Sequence, residues 1–112
     1  MDGPALDLDR LRAIAQRLGE TPQQVARTLL DELEAALTTI DAELGRGDLE
    51  AVGHAAHAAQ TSALMLDAGP TVAALRALET AASAGDAAAA QSAHRELSDR
   101  WPRLAAELRQ AL

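Results

Sequence analysis

Apolar residues recur at intervals of three and four along almost the whole chain, and the runs are punctuated by glycine or proline. That period belongs to helices with one buried face and one wet face. The first run places Leu8, Leu11, Ile14, Ala15 and Leu18 after Asp7, a candidate N-cap, and stops at Gly19. Thr21-Pro22-Gln23-Gln24 then combines a cap residue, a proline at the first helical position and a glutamine three places after the threonine. Each satisfies or tolerates the orphan amides of a helix start, making this the strongest start signal in the chain. The helix it opens carries Val25, Leu29, Leu33, Leu37, Ile40 and Leu44, and is expected to end at Gly45.

Gly45-Arg46-Gly47-Asp48 is a short connection, so a third helix should return beside the second, with Asp48 as its cap. Leu49, Val52, Ala56, Ala59, Ala63 and Leu66 fall within about 100° of one another on that helix. The stripe is narrow and mostly small, which lets neighbours approach closely. Asp67-Ala68-Gly69-Pro70 should end it, because proline disfavours helix in the residue before it. A fourth helix is expected from about residue 71, with Val72, Leu75, Leu78 and Ala82 inward and a stop at Gly85. Asp86 can cap the last, whose stripe is Ala90, Ala93, Leu97, Trp101, Leu104, Leu108 and Ala111. Pro102 cannot donate to the carbonyl of Ser98; the stripe continues in phase across it, which predicts a kink rather than a break. The pattern predicts an all-α, antiparallel four-helix bundle with a short additional N-terminal helix, a single domain over 1–112.

Composition narrows this. Apolar residues make up 48% of the chain, yet Trp101 is the sole aromatic and much of the rest is alanine, so a ligand cavity lined by rings is not expected. A formal charge of −7 supplies no basic excess to displace phosphate counterions, which argues against a nucleic-acid partner. Without cysteine there are no disulfides and no thiolate metal sites. The N-terminus has no basic stretch followed by an apolar run, and no apolar stretch reaches the roughly 18–20 residues that span a bilayer. The expectation is a free-standing cytoplasmic monomer with no membrane association.

Candidate chemistry concentrates on the third helix. With Val52 at 0°, His57 lies near about 140° and His54 near about 200°. Gly53, Gln60, Leu64 and Thr61 surround His57 at about 100°, 80°, 120° and 180°. A glycine inside a helix costs about 1 kcal/mol relative to alanine, and here it would leave the ring open to an approaching surface. Leu64, apolar and outward, could receive a docked partner, as could His54. Direction alone does not choose between the two histidines, and an exposed helical histidine is most often a plain solvated residue. His54 and His57 share an i, i+3 spacing suited to a metal, but no third ligand accompanies them, so no metal is expected. His94 reads as a boundary residue, Trp101 as a core anchor and Glu79 as an exposed or inter-helix polar residue.

The order His57-Ala58-Ala59-Gln60-Thr61-Ser62-Ala63-Leu64-Met65-Leu66-Asp67-Ala68, then Leu78-Glu79 and Gly85-Asp86, resembles the histidine-containing phosphotransfer (HPt) domain family. Members carry a His-x-Leu-Lys-Gly-Ser-like motif, Leu-Gly-Ala at the helix end, Leu-Glu in the next helix and Gly-Asp before the last. Leu66, Ala68, Leu78, Glu79, Gly85 and Asp86 are in register when His57 is the phosphorylated position; with His54 there, all are displaced by three. The chain departs from the pattern where Gln60 stands for the family lysine, Thr61 for its glycine and Asp67 for the helix-ending glycine.

The resemblance implies a phosphorelay carrier that accepts a phosphoryl group on His57 from a receiver-domain aspartate and passes it to another receiver. Gln60 and Thr61 then neighbour the phosphoryl group, and Gly53, His54 and Leu64 dock the partner. Response-regulator receiver domains are the implied partners, with a hybrid histidine kinase as a further candidate. No cofactor is implied on this chain, since Mg²⁺ is expected on the receiver, and no ATP-dependent kinase activity is expected. Replacing a lysine by Gln60 should cost about 1–2 kcal/mol of phosphohistidine stabilisation where the group is partly desolvated, so Gln60→Lys is expected to raise phosphoprotein yield or lifetime. The alternative is a degenerate HPt-like module that binds a receiver or histidine kinase without being phosphorylated.

Overall fold

Five helices follow one another in the computed structural model, which describes residues 8–66 and 69–111. They are α1 (Leu8–Leu18), α2 (Pro22–Arg46), α3 (Leu49–Leu66), α4 (Pro70–Ser83) and α5 (Ala87–Ala111). The connections are two or three residues long, so successive helices that touch must run in opposite directions. α2 packs on α3, α3 on α4 and α4 on α5, while α5 closes back on α2 and α1 lies against α2. The molecule measures 40 × 29 × 18 Å. Its long dimension is near the length of about 37 Å that a 25-residue helix requires.

The start signals act as their chemistry dictates. Gln24 N donates to Thr21 Oγ1 at 3.1 Å while Thr21 N donates to Gln24 Oε1 at 2.8 Å, a reciprocal capping box. Asp48 Oδ1 accepts from Ala51 N at 3.1 Å, and Asp86 Oδ1 accepts from Ala89 N at 3.0 Å. Asp7, Asp67 and Ala68 lie outside the described residues, as do the side chains of Leu8 and Ala111.

Two boundaries differ from the sequence expectation. α2 does not end at Gly45 but runs to Arg46, and Gly47 closes it at φ +76°, its amide reaching the carbonyls of Glu43 and Leu44. Gly47 adopts the left-handed conformation that terminates a helix, whereas Gly45 is simply a helical residue. α4 begins at Pro70 rather than residue 71, since proline is well tolerated where no amide partner is needed. α5 passes through Pro102 as one helix, as the in-phase stripe on both sides of the proline implies.

The core is built from leucine, valine, isoleucine and alanine of all five helices, with Leu11, Leu33, Ile40, Val52, Leu75, Leu78, Leu97 and Leu108 fully buried. Trp101 is only half-buried, packed on the rim of this core. It lies towards α2, in a small hollow with Leu37, while Ala105 and Leu108 further along α5 are buried. No helix among the described residues is long and apolar enough to cross a membrane.

Candidate functional site

The seam between α3 and α4 is where the small stripe has its structural effect. A Cβ built on Gly53 would sit 3.3 Å from Ala82 Cβ, closer than most side chains tolerate. Gly53 and Ala82 thus set a short spacing between the two helices. Moving along α3 from Gly53 runs backwards along α4 from Ala82, which brings His57 opposite Glu79.

Glu79 bridges two residues of α3. Its Oε2 lies 2.8 Å from His57 Nδ1, and its Oε1 accepts from Gln60 Nε2 at 2.7 Å. The Gln60 hydrogen bond is the main influence holding the Glu79 carboxyl below its ordinary range. Partial burial opposes this, and the neighbouring His57 adds to the lowering. Glu79 is therefore an ionised acceptor near neutral pH, and an acceptor 2.8 Å from Nδ1 requires the imidazole proton to be on that nitrogen. Nε2 then carries the free lone pair. It has no partner among the described residues, and the His57 side chain is 74% exposed. The arrangement is a nucleophilic nitrogen facing solvent on a rigid helix, oriented from behind by a carboxylate.

The other candidates fall around this pair unequally. Gln60 is half-buried and turned towards α4 by its bond to Glu79. Thr61 is exposed, and its hydroxyl has no partner among the described residues. Gly53 and His54 line a groove beside His57 and Glu79 that extends to Glu50 and Ser83. Leu64 is 37% exposed, outside that groove, and its carbonyl accepts from Arg10 Nη1 of α1 at 3.0 Å. Among the described residues no three of His, Asp or Glu converge to hold a metal.

Glu79 is the residue that sequence reasoning undervalued, as a register marker rather than part of the site. A usable signal exists. Reflection of the hairpin about the centre of the turn between Leu66 and Pro70 sets position 57 opposite position 79. No lysine is available to stand beside the pair, because every basic residue besides the histidines is arginine.

A family model described as Hpt domain matches residues 24–111, which includes α3, α4 and α5 entire and most of α2. No curated protein and no solved structure matches the chain.

Proposed function

This chain belongs to the Hpt domain family, and from that membership we propose that His57 is its phosphoryl-carrying residue. Hpt domains work in phosphorelays with receiver-domain partners and are carriers rather than kinases. The observation that supports His57 over His54 is the Glu79 carboxylate on Nδ1, which leaves an exposed Nε2 as nucleophile.

In the proposed transfer, the Nε2 lone pair attacks the phosphorus of a receiver's aspartyl phosphate. The bond from phosphorus to the aspartate oxygen breaks, the aspartate leaves as a carboxylate, and an Nε2–P bond forms. Nδ1 keeps its proton throughout, so the ring gains positive charge that the ionised Glu79 stabilises at 2.8 Å. The reverse sequence delivers the phosphoryl group to a second receiver. In-line placement and charge stabilisation dominate such a reaction. The receiver supplies Mg²⁺; this domain supplies an oriented nucleophile. Gly53, His54 and Leu64 serve the docking of a receiver, and the protein acts as a cytoplasmic monomer without turnover of ATP.

A second reading keeps the docking and drops the chemistry. It draws on the absence of lysine and on the engagement of Gln60 with Glu79, which leave no cation from α3 at position 60. Transfer from a panel of phosphorylated receivers to wild-type, His57→Ala and His54→Ala protein separates the readings. Acid-labile, base-stable label that disappears only in His57→Ala is the expected result. Label lost only in His54→Ala would move the site, and receiver binding without label in any form would select the docking module.

A further inference from the structure

The family resemblance alone assigns position 60 to the phosphoryl group. The contacts of Gln60 point elsewhere. Its amide nitrogen is 2.7 Å from Glu79 Oε1, so the end of the side chain is directed at α4 and away from the solvent in front of His57. The two carboxylate oxygens of Glu79 have separate tasks: Oε1 takes Gln60, Oε2 takes His57. A glutamate side chain has three rotatable bonds, and one contact fixes only one end of its carboxylate. Two contacts fix the plane of the carboxylate and therefore the direction of the oxygen that meets Nδ1.

We propose that Gln60 is a positioning residue, which braces Glu79 so that its second oxygen holds the proton of His57 on Nδ1. The amide does for this site what an outer-shell partner does for a metal-bound histidine: it selects the tautomer at one remove. Gln60 is well suited to the task. It donates without adding a charge that would compete with the histidine for the carboxylate. The same side chain cannot at once bond Glu79 Oε1 and face a phosphoryl group on Nε2. Thus the departure from lysine at position 60 changes what the position does: it ties α3 to α4 instead of presenting charge to the incoming group. The inference concerns the resting ring of His57. It bears on catalysis only through the reading of His57 as phosphoryl carrier, and its first test does not depend on that reading.

The ring tautomer is read directly from long-range ¹H–¹⁵N correlations of His57 in ¹⁵N-labelled protein, at a pH where the imidazole is neutral. A free side chain in water favours the proton on Nε2. The wild-type protein is expected to show Nδ1–H, and both Gln60→Leu and Glu79→Leu are expected to shift the ring towards Nε2–H. A wild-type tautomer in Gln60→Leu together with a shifted one in Glu79→Leu would overturn the brace while leaving the His57–Glu79 pair intact. An unshifted tautomer in both variants would overturn the pair as well. Receiver-dependent labelling of the same variants is scored separately: slower labelling in Gln60→Leu supports the brace, and no labelling of the wild-type protein defeats the carrier reading without touching the tautomer result.

Discussion

Among the described residues, two histidine–carboxylate pairs cross helix seams, and they are built for opposite purposes. On the α3–α4 seam, Glu79 meets His57 at Nδ1, 2.8 Å away, and the outer nitrogen is left free on a ring that is 74% exposed. On the α2–α5 seam, Asp41 meets His94 at Nε2, 3.3 Å away, on a side chain only 21% exposed. Ser98 Oγ also lies 3.5 Å from that nitrogen. His94 thus spends its outer nitrogen on contacts that join α5 to α2. The set Ser98, His94 and Asp41 is not a nucleophilic triad, because serine and aspartate both address the same ring nitrogen. Residue types do not separate the two pairs. Which nitrogen is engaged, and how much of the ring remains open, does.

The sharpest way to break this comparison is to remove each histidine in turn. His57→Ala is expected to abolish receiver-dependent labelling, whereas His94→Ala is expected to retain it fully; the measurement is acid-labile label per mole of protein. Loss of label in His94→Ala with an unchanged circular-dichroism spectrum would overturn the distinction. Removing the carboxylates is a gentler cut. Glu79→Ala is expected to slow phosphoryl acceptance about tenfold, the low end for loss of a histidine's outer-shell partner, since Glu79 is itself 37% exposed. Asp41→Ala should leave the rate within a factor of about two.

The glycines on the two seams sharpen the contrast in stability. A Cβ on Gly53 would sit 3.3 Å from Ala82 Cβ, while one on Gly45, beside the His94 groove, would meet nothing within 4 Å. Gly53→Leu is therefore expected to lower unfolding free energy by about 1–3 kcal/mol through overpacking. Gly45→Ala should raise it by about 0.5–1 kcal/mol through helix propensity alone. Urea titrations of the two variants would settle both signs. The smallest effect concerns pH. Glu79 is held below its reference value of 4.5 in the folded protein. Its contribution to stability is fully present above that reference value and is lost as pH falls through the folded one. The stability gap between wild-type protein and Glu79→Gln should hold near neutral pH and close on acidification below about 4.5; a gap that widens there would contradict the assignment.

Much of the architecture was legible in the sequence because local chemistry decides it. Thr21 and Gln24 form their capping box wherever the rest of the chain goes, and Asp48 and Asp86 cap the helices that follow them. The three-four spacing of α2 finds Leu29, Leu33 and Ile40 buried. What escaped was decided by neighbours. Trp101 is in phase with the core yet half-exposed, in a hollow that opens beside Leu37 of α2. Gln60 reads as an outward residue beside a nucleophile until Glu79 arrives from another helix and claims its amide. Periodicity names the face of a helix a residue occupies. It does not say which side chain of the next helix is waiting there.

The rim position of Trp101 has an optical consequence. The chain has no tyrosine and no second indole, so its near-ultraviolet emission comes from one ring. That ring shares a small hollow with Leu37, Leu97 and His94 on the α2–α5 side. Its emission maximum and quenching report the solvation of the structural seam, with no chromophore at the chemical one. A receiver that docks over His57 should leave that signal still, and a ligand or mutation that loosens the bundle should move it, so one fluorescence trace tells docking apart from unfolding.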